Sequence, residues 1–259
     1  MKFRLLPIFL AAALIVFSAC SDDDDGTPVT PSTKIEVTNL SPIAGPIGTT
    51  VLIKGSNFGT NPAELTITFG GVTVTPVSVT NTEIKIVVPA SLPIGPTSIK
   101  LKRGTGAEVT VQFTVQDPIV GSWTSEGTNV ALLLYGPPFN IRKIVATFKA
   151  DGSYIVVQTD SSQTSLTLTG IYTVAEGNAP APKDKIRTIT VNQGSPTSIT
   201  AEGIYEVTVD ASTISMKYEI AQTEPPLAGV TKPTPTGGFG STAGGAFGTI
   251  NIQTYVKTN

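Results

Sequence analysis

Residues 165–174 read SLTLTGIYTV, and their period decides the fold class. Leu166, Leu168, Tyr172 and Val174 fall on one face, with Thr167, Thr169 and Thr173 on the other. Alternation of period two is the mark of a half-buried strand; apolar positions on a helix recur every three to four residues. Met216, Tyr218 and Ile220 repeat the arrangement, and Ala150-Asp151-Gly152-Ser153 carries the residue types of a tight hairpin turn. Outward from this segment, strand candidates follow one another over 119–124, 130–134, 144–148, 154–159, 165–174, 186–191, 199–209, 212–220 and 249–256. Roughly nine antiparallel strands joined mostly by hairpins suit a closed up-and-down barrel, which leaves no unpaired edge.

Toward the N-terminus the pattern changes scale. From Lys34 to Val115 short alternating runs are divided by turn residues: 35–40, 50–54, 65–69, 72–74, 77–79, 83–88, 98–101 and 108–115. Turn signals at about 8–12-residue spacing without a helical period argue for a β-sandwich. Phe58 and Phe69 are its expected core anchors, Gly48 and Gly55 are expected at backbone angles closed to other residues, and Pro89 should end a strand. The fold class is therefore all-β, a sandwich over 34–116 followed by a barrel over 117–259, with Gln116-Asp117-Pro118 at the boundary.

Two resemblances sharpen this. Ser41-Pro42 with Gly45 and Gly48, then Val51-Leu52-Ile53-Lys54-Gly55-Ser56-Asn57-Phe58, Phe69-Gly70-Gly71, Thr82-Glu83-Ile84, Val88-Pro89, Gly95 and Phe113-Thr114-Val115 resemble the IPT/TIG immunoglobulin-like domain in the right order. That family does not fix a function; it implies a spacer here. Gly121-Ser122-Trp123, at the entry to the second domain, resembles the Gly-x-Trp start of lipocalins and other calycins. The 148–154 and 170–172 hairpins look like those of bacterial lipocalin-like domains. The resemblance implies that Gly121 and Trp123 form a structural barrel floor, with Lys257 as the basic partner of the tryptophan.

Composition narrows the chemistry. The 259-residue chain has no histidine, one cysteine and a formal net charge of −2. The commonest general base and metal ligand are absent, and with them any Ser-His-Asp or Cys-His site. The acids of the barrel domain single out no pair: Glu202 and Glu206 share a strand face about 13 Å apart along it, too far for a retaining glycosidase. No catalytic residue, metal site or cofactor is expected. Scattered lysines, densest at Lys100, Lys102 and Arg103, without a basic surplus argue against nucleic acid.

The first residues carry an address. Lys2 and Arg4 precede an apolar run to Phe17, and Ser18-Ala19-Cys20 follows, the pattern of a secretory signal over 1–19. It resembles a lipobox, which implies lipidation of Cys20. Ser21, Asp22, Asp23, Asp24 and Asp25 together resemble the export signal of Bacteroidota surface lipoproteins, so the expected location is the outer membrane, facing the exterior. Residues 20–33 read as an acidic, proline-bearing tether that could reach on the order of 40 Å.

The expected function is that of a cell-surface, lipid-anchored, non-enzymatic binding protein. It would capture a glycan or other extracellular ligand through the C-terminal domain and pass it to an outer-membrane transporter. Tyr135, Phe139 and Phe239, in the loops 134–139 and 231–247, are the candidate ligand-binding aromatics. The alternatives are a carrier of a small apolar molecule, with Leu132, Leu134, Val156, Leu166, Leu168 and Tyr218 turned inward around a cavity, and a structural or adhesive surface protein.

Overall fold

A computed structural model describes residues 34–210 and 213–258. The expected signal peptide, the lipidation residue Cys20 and the tether lie outside the described residues. So does the whole expected export signal, Ser21, Asp22, Asp23, Asp24 and Asp25. No described helix is long and apolar enough to cross a membrane.

The N-terminal part contains two facing sheets. Strands β1 (Glu36–Ser41), β3 (Thr50–Ser56), β7 (Glu83–Val87) and β6 (Ser78–Val79) form one, in the order β1-β3-β7-β6. The other runs β2-β9-β8-β4-β5, from β2 (Ala44–Gly45), β9 (Val109–Val115), β8 (Gly95–Arg103), β4 (Leu65–Phe69) and β5 (Val72–Thr73). Alternate residues of both sheets meet in a core of Val51, Ile53, Ile67, Ile84, Ile86 and Ile99 with both expected anchors, Phe58 and Phe69. Phe69 meets Phe113 edge-on at 5.1 Å, a favoured aromatic geometry. Gly48 has the expected positive φ of 80°. Gly55 does not, and its reason differs from the expected one: a Cβ there would drive into the carbonyl oxygen of Glu36 on β1. Glycine at 55 lets two strands approach, rather than a turn reverse.

The C-terminal part is a closed barrel of antiparallel strands in chain order: β10 (Gly121–Glu126), β11 (Ile141–Phe148), β12 (Ser153–Asp160), β13 (Ser165–Glu176), β14 (Arg187–Ser195), β15 (Ile199–Val209), β16 (Ile214–Glu224) and β17 (Gln253–Thr258). β17 pairs back onto β10, Trp123 opposite Lys257, and closes the wall. The expected strand at 130–134 is absent. Those residues follow a 3-10 turn (Gly127–Asn129) and enter a single helical turn, α1 (Leu132–Tyr135). Three consecutive leucines and a tyrosine do not alternate, so no register could bury one face and wet the other. The last strand also starts later than expected, because Gly248–Asn251 forms a 3-10 turn first.

Register sets the lumen. Val156 stands opposite Leu168 and Ala146, and Met216 opposite Tyr255 and Val207, all facing inward. The strand ends then define two ends of the barrel. Gly121, Phe148, Ser153, Arg187 and Thr258 lie at the end the chain enters, the floor; Glu126, Ile141, Asp160, Ser165 and Gln253 lie at the other, the mouth.

Candidate functional site

The floor is sealed by side chains that the β10 and β17 registers bring together. Trp123 is wholly buried and its indole N–H donates to the Ile119 carbonyl at 2.7 Å. Lys257 Nζ lies 5.2 Å from the centre of the indole ring, a cation-π arrangement. Gly121, at φ 131°, leaves the room: a Cβ there would stand 2.9 Å from Lys257 Cε. Burial draws the Lys257 ammonium down to about 8.

Beside it is a polar group that the sequence did not disclose. Tyr205 O–H donates to Asp117 Oδ1 at 2.7 Å and accepts from Arg187 Nε at 2.9 Å. Asp117 Oδ2 sits 3.0 Å from Arg187 Nη2, and Arg187 Nη1 also pairs with Glu176. Asp117, read only as part of a domain boundary, thus anchors the interdomain segment to the barrel. Burial and the Asp117 carboxylate push the Tyr205 phenol far above its ordinary range. No local sequence pattern signals this trio, since its members are separated by up to 88 positions.

Above the floor Phe148 gathers Tyr172 at 5.1 Å, Tyr154 at 6.2 Å and Tyr218 at 6.3 Å between ring centres, and Tyr218 meets Tyr255 edge-on at 6.0 Å. Over this aromatic plug the barrel is hollow. A cavity of about 260 Å³ is walled by Val156, Leu168, Val191, Ala201, Ile220 and Leu134, with Gln158, Gln193, Asn251 and Gln253 toward the mouth. α1 forms part of its roof: Leu134 turns inward, and the Ala131 N–H donates to Gln253 Oε1 at 3.0 Å. Gln253 also donates to Ser125 Oγ and to the Asn129 carbonyl.

Four of the six side chains expected around a cavity line it: Leu134, Val156, Leu168 and Tyr218. Two do not. Leu132 is 66% exposed on the outer side of α1, because one helical turn cannot point both Leu132 and Leu134 inward. Leu166 stands opposite Gln158, but at the rim, and is 48% exposed.

The candidate aromatics do not form one platform. Tyr135 and Phe139 are exposed in the β10–β11 connection, where Arg142 Cζ stacks 3.9 Å from the Tyr135 ring centre. Phe239 lies on the outer wall, 5.9 Å from Lys217 Nζ of β16. The long glycine-rich segment between β16 and β17, which holds the loop 231–247, is a strap docked on that wall. Tyr218 and Ile220 line the lumen, so Glu219 points outward, yet it is wholly buried. Its carboxylate accepts from Gly240 N at 2.6 Å, from Thr242 N at 3.1 Å and from the Thr242 hydroxyl. Lys183 Nζ holds the Thr236 carbonyl at 2.7 Å, and Lys232 pairs with Glu202 of β15. Phe239 borders a shallow groove with Thr231, Lys232, Thr234 and Ser241. Among the described residues no grouping of three or more His, Cys, Asp and Glu is placed to hold a metal.

Residues 36–128 match the family model of the IPT/TIG domain. The first domain is an IPT/TIG domain. The match runs past β9 into β10 of the barrel. No curated protein matches the chain in sequence. Several solved structures bear a distant likeness. A Bacteroides thetaiotaomicron structural genomics protein of unknown function is 16% identical, over 72% of this chain and 56% of its own, at a TM-score of 0.30. An auxiliary nutrient binding protein from the same organism is 15% identical over 74% and 59%, at 0.30. The Bacteroides ovatus mixed-linkage glucan utilization locus protein SGBP-B, in complex with a mixed-linkage heptasaccharide, is 18% identical over 59% and 51%, at 0.28. The chain thus spans little more than half the length of each, and likeness at this level carries no functional argument.

Proposed function

We propose that the C-terminal barrel holds one small ligand with an apolar body and that the IPT/TIG domain serves as a spacer. The cavity is the observation that carries this. Apolar walls around a closed-bottomed hollow, with few polar groups, are the usual composition of a small-molecule site, and about 260 Å³ lies just below their usual range, which suits a small guest. The chain has no histidine for a His-dependent catalytic site, and the role proposed for the barrel is binding. The test is a titration of the full chain with the neutral fluorophore N-phenyl-1-naphthylamine. Saturable binding is expected, weakened at least tenfold by Ala201→Phe and by Leu168→Phe, each of which fills the hollow. Absence of wild-type binding, or unchanged binding in both folded variants, would refute the proposal.

A glycan ligand has a different foothold, the Phe239 groove on the outer wall, where an aromatic edge stands among Thr231, Thr234 and Ser241 hydroxyls. Affinity electrophoresis in β-glucan gels would register it as retardation lost in Phe239→Ala.

The chain is further proposed to be exported and lipid-anchored at Cys20, displayed on the outer membrane by the run Ser21, Asp22, Asp23, Asp24 and Asp25, and to pass its ligand to an outer-membrane transporter. The signal-like residues 1–25 support the anchor and display. Radiolabelled palmitate should mark the wild type and not Cys20→Ala, and protease applied to intact cells should cleave the displayed domains. Full protection would remove surface display, and failure to cross-link to any transporter would remove the transfer step.

A further inference from the structure

The cavity's polar groups are unevenly distributed, and their character selects the ligand's head. Tyr154, Tyr218 and Tyr255 reach its deep end from β12, β16 and β17, all three nearly buried. Their rings touch other rings, but among the described residues none of the three phenol hydroxyls has a hydrogen-bond partner. The contrast is local. Tyr172 O–H, beside the same Phe148, donates to the Lys149 carbonyl at 2.8 Å, and Tyr205 O–H donates to Asp117. Three hydroxyls without protein partners that line one otherwise apolar hollow are free to meet a guest or water there.

Charge decides between guests. No lysine, arginine, aspartate or glutamate lines the cavity. The nearest inward cations, Lys257 and Arg187, are committed below the aromatic plug to Trp123 and to the Asp117–Tyr205 pair. A carboxylate or ammonium head would lose its water with no opposite charge to meet it. An uncharged oxygen loses little and gains phenol donors. Burial pushes the pKa of all three tyrosines up, with Tyr255 and Tyr154 adding to the effect on Tyr218, so they stay neutral donors across the physiological range.

We infer that the barrel selects an uncharged amphiphile, an alcohol, ketone or ester, which enters head first so that its oxygen lies among Tyr154, Tyr218 and Tyr255 while its apolar body faces Val156, Leu168, Val191 and Ile220. This rests on the cavity being the ligand site and adds the chemistry of the ligand's head.

The experiment displaces N-phenyl-1-naphthylamine from the full chain with 1-octanol, 2-octanone, n-octane and octanoate at neutral pH. Octanol and octanone should compete at least tenfold better than octanoate, and about fivefold better than octane per hydrogen bond gained. Tyr218→Phe and Tyr255→Phe, which delete only the hydroxyl, should erase the advantage of octanol over octane and leave octane unchanged. Their folding is checked by the fluorophore's own affinity. If the fluorophore does not bind, the cavity reading fails. If it binds but octanoate competes as well as octanol, or the phenylalanine variants keep the octanol preference, the head-group inference is overturned and the hollow is a general apolar site.

Discussion

Replacing Glu219 by alanine should release the strap from the barrel wall. The carboxylate is wholly buried, and it accepts two backbone N–H groups and one hydroxyl from the strap. Hydrogen bonds to a charged acceptor contribute about 1.5–3 kcal/mol each, but three on one acceptor are not additive. Once the strap lifts, its freed donors find water, so the loss is bounded by the strap's own docking energy. About 3–5 kcal/mol is the expected cost, the worth of roughly two such bonds. At about 1.4 kcal/mol per decade, the amides of Gly240 and Thr242 should exchange with deuterium roughly 100 to 3,000 times faster. Amides of β13, on another part of the wall, should change far less. Glu219→Gln keeps one acceptor oxygen but sets an amide NH2 against a donor, and should fall between. Exchange at Gly240 and Thr242 within about threefold of the wild type in Glu219→Ala would refute the claim that this carboxylate holds the strap.

Three further outcomes are expected. Tyr205→Phe removes the hydroxyl that links Arg187 to Asp117 and should lower barrel stability by about 1–3 kcal/mol in urea unfolding, with a smaller effect meaning that the direct Asp117–Arg187 pair suffices. Gly55→Ala forces β1 away from β3 and should destabilise the IPT/TIG domain by about 2 kcal/mol or more; an unchanged urea midpoint would show that β1 yields freely. Lys257 is drawn down to about 8 in the fold while the unfolded lysine titrates near 10.4, so between those values the unfolded chain holds more protons and stability rises with pH. Below about 8 both states are charged and the cost is constant; from about 10 upward, tyrosines held neutral by burial begin to oppose the rise. Thermal melts from about pH 7.5 to 9.5 should therefore climb in the wild type relative to Lys257→Met, and parallel curves would mean that Lys257 reaches water.

Much of the fold is legible because buried faces repeat every second residue. Leu168, Tyr172 and Val174 declared the lumen, and Ala150 to Ser153 declared a turn whose Asp151 carboxylate accepts from Ser153 N at 2.8 Å. Periodicity fails where burial is not periodic. Residues 130–134 are apolar because α1 roofs a cavity, not because they pleat. Glu219 has the outward parity of a solvated residue and becomes buried only because a distant strap lies over it. The strap itself, rich in glycine and threonine, has the composition of a flexible loop; its fixed course comes from Glu219, Glu202 and Lys183, none of which lies within it. The three tyrosines at the deep end were visible as inward residues at best. That their hydroxyls lack partners is a property of the assembled wall.

The closing seam has a consequence for when the hollow can exist. The backbone ladder of β17 on β10 runs only through Ser122, Trp123 and Thr124, and Thr124 bonds Thr258 at 2.9 Å across 134 positions of sequence. Every other neighbour in the barrel is adjacent in the order of strands and can pair as a growing meander. The seam alone must recruit partners from opposite ends of the domain, the slowest class of contact to form and an entropically expensive one. Tyr255 lies on one side of that joint and Phe148, through β11, on the other. A guest resting against both would act as a clasp, so occupancy should slow opening of the seam more than it slows loss of any other strand pair.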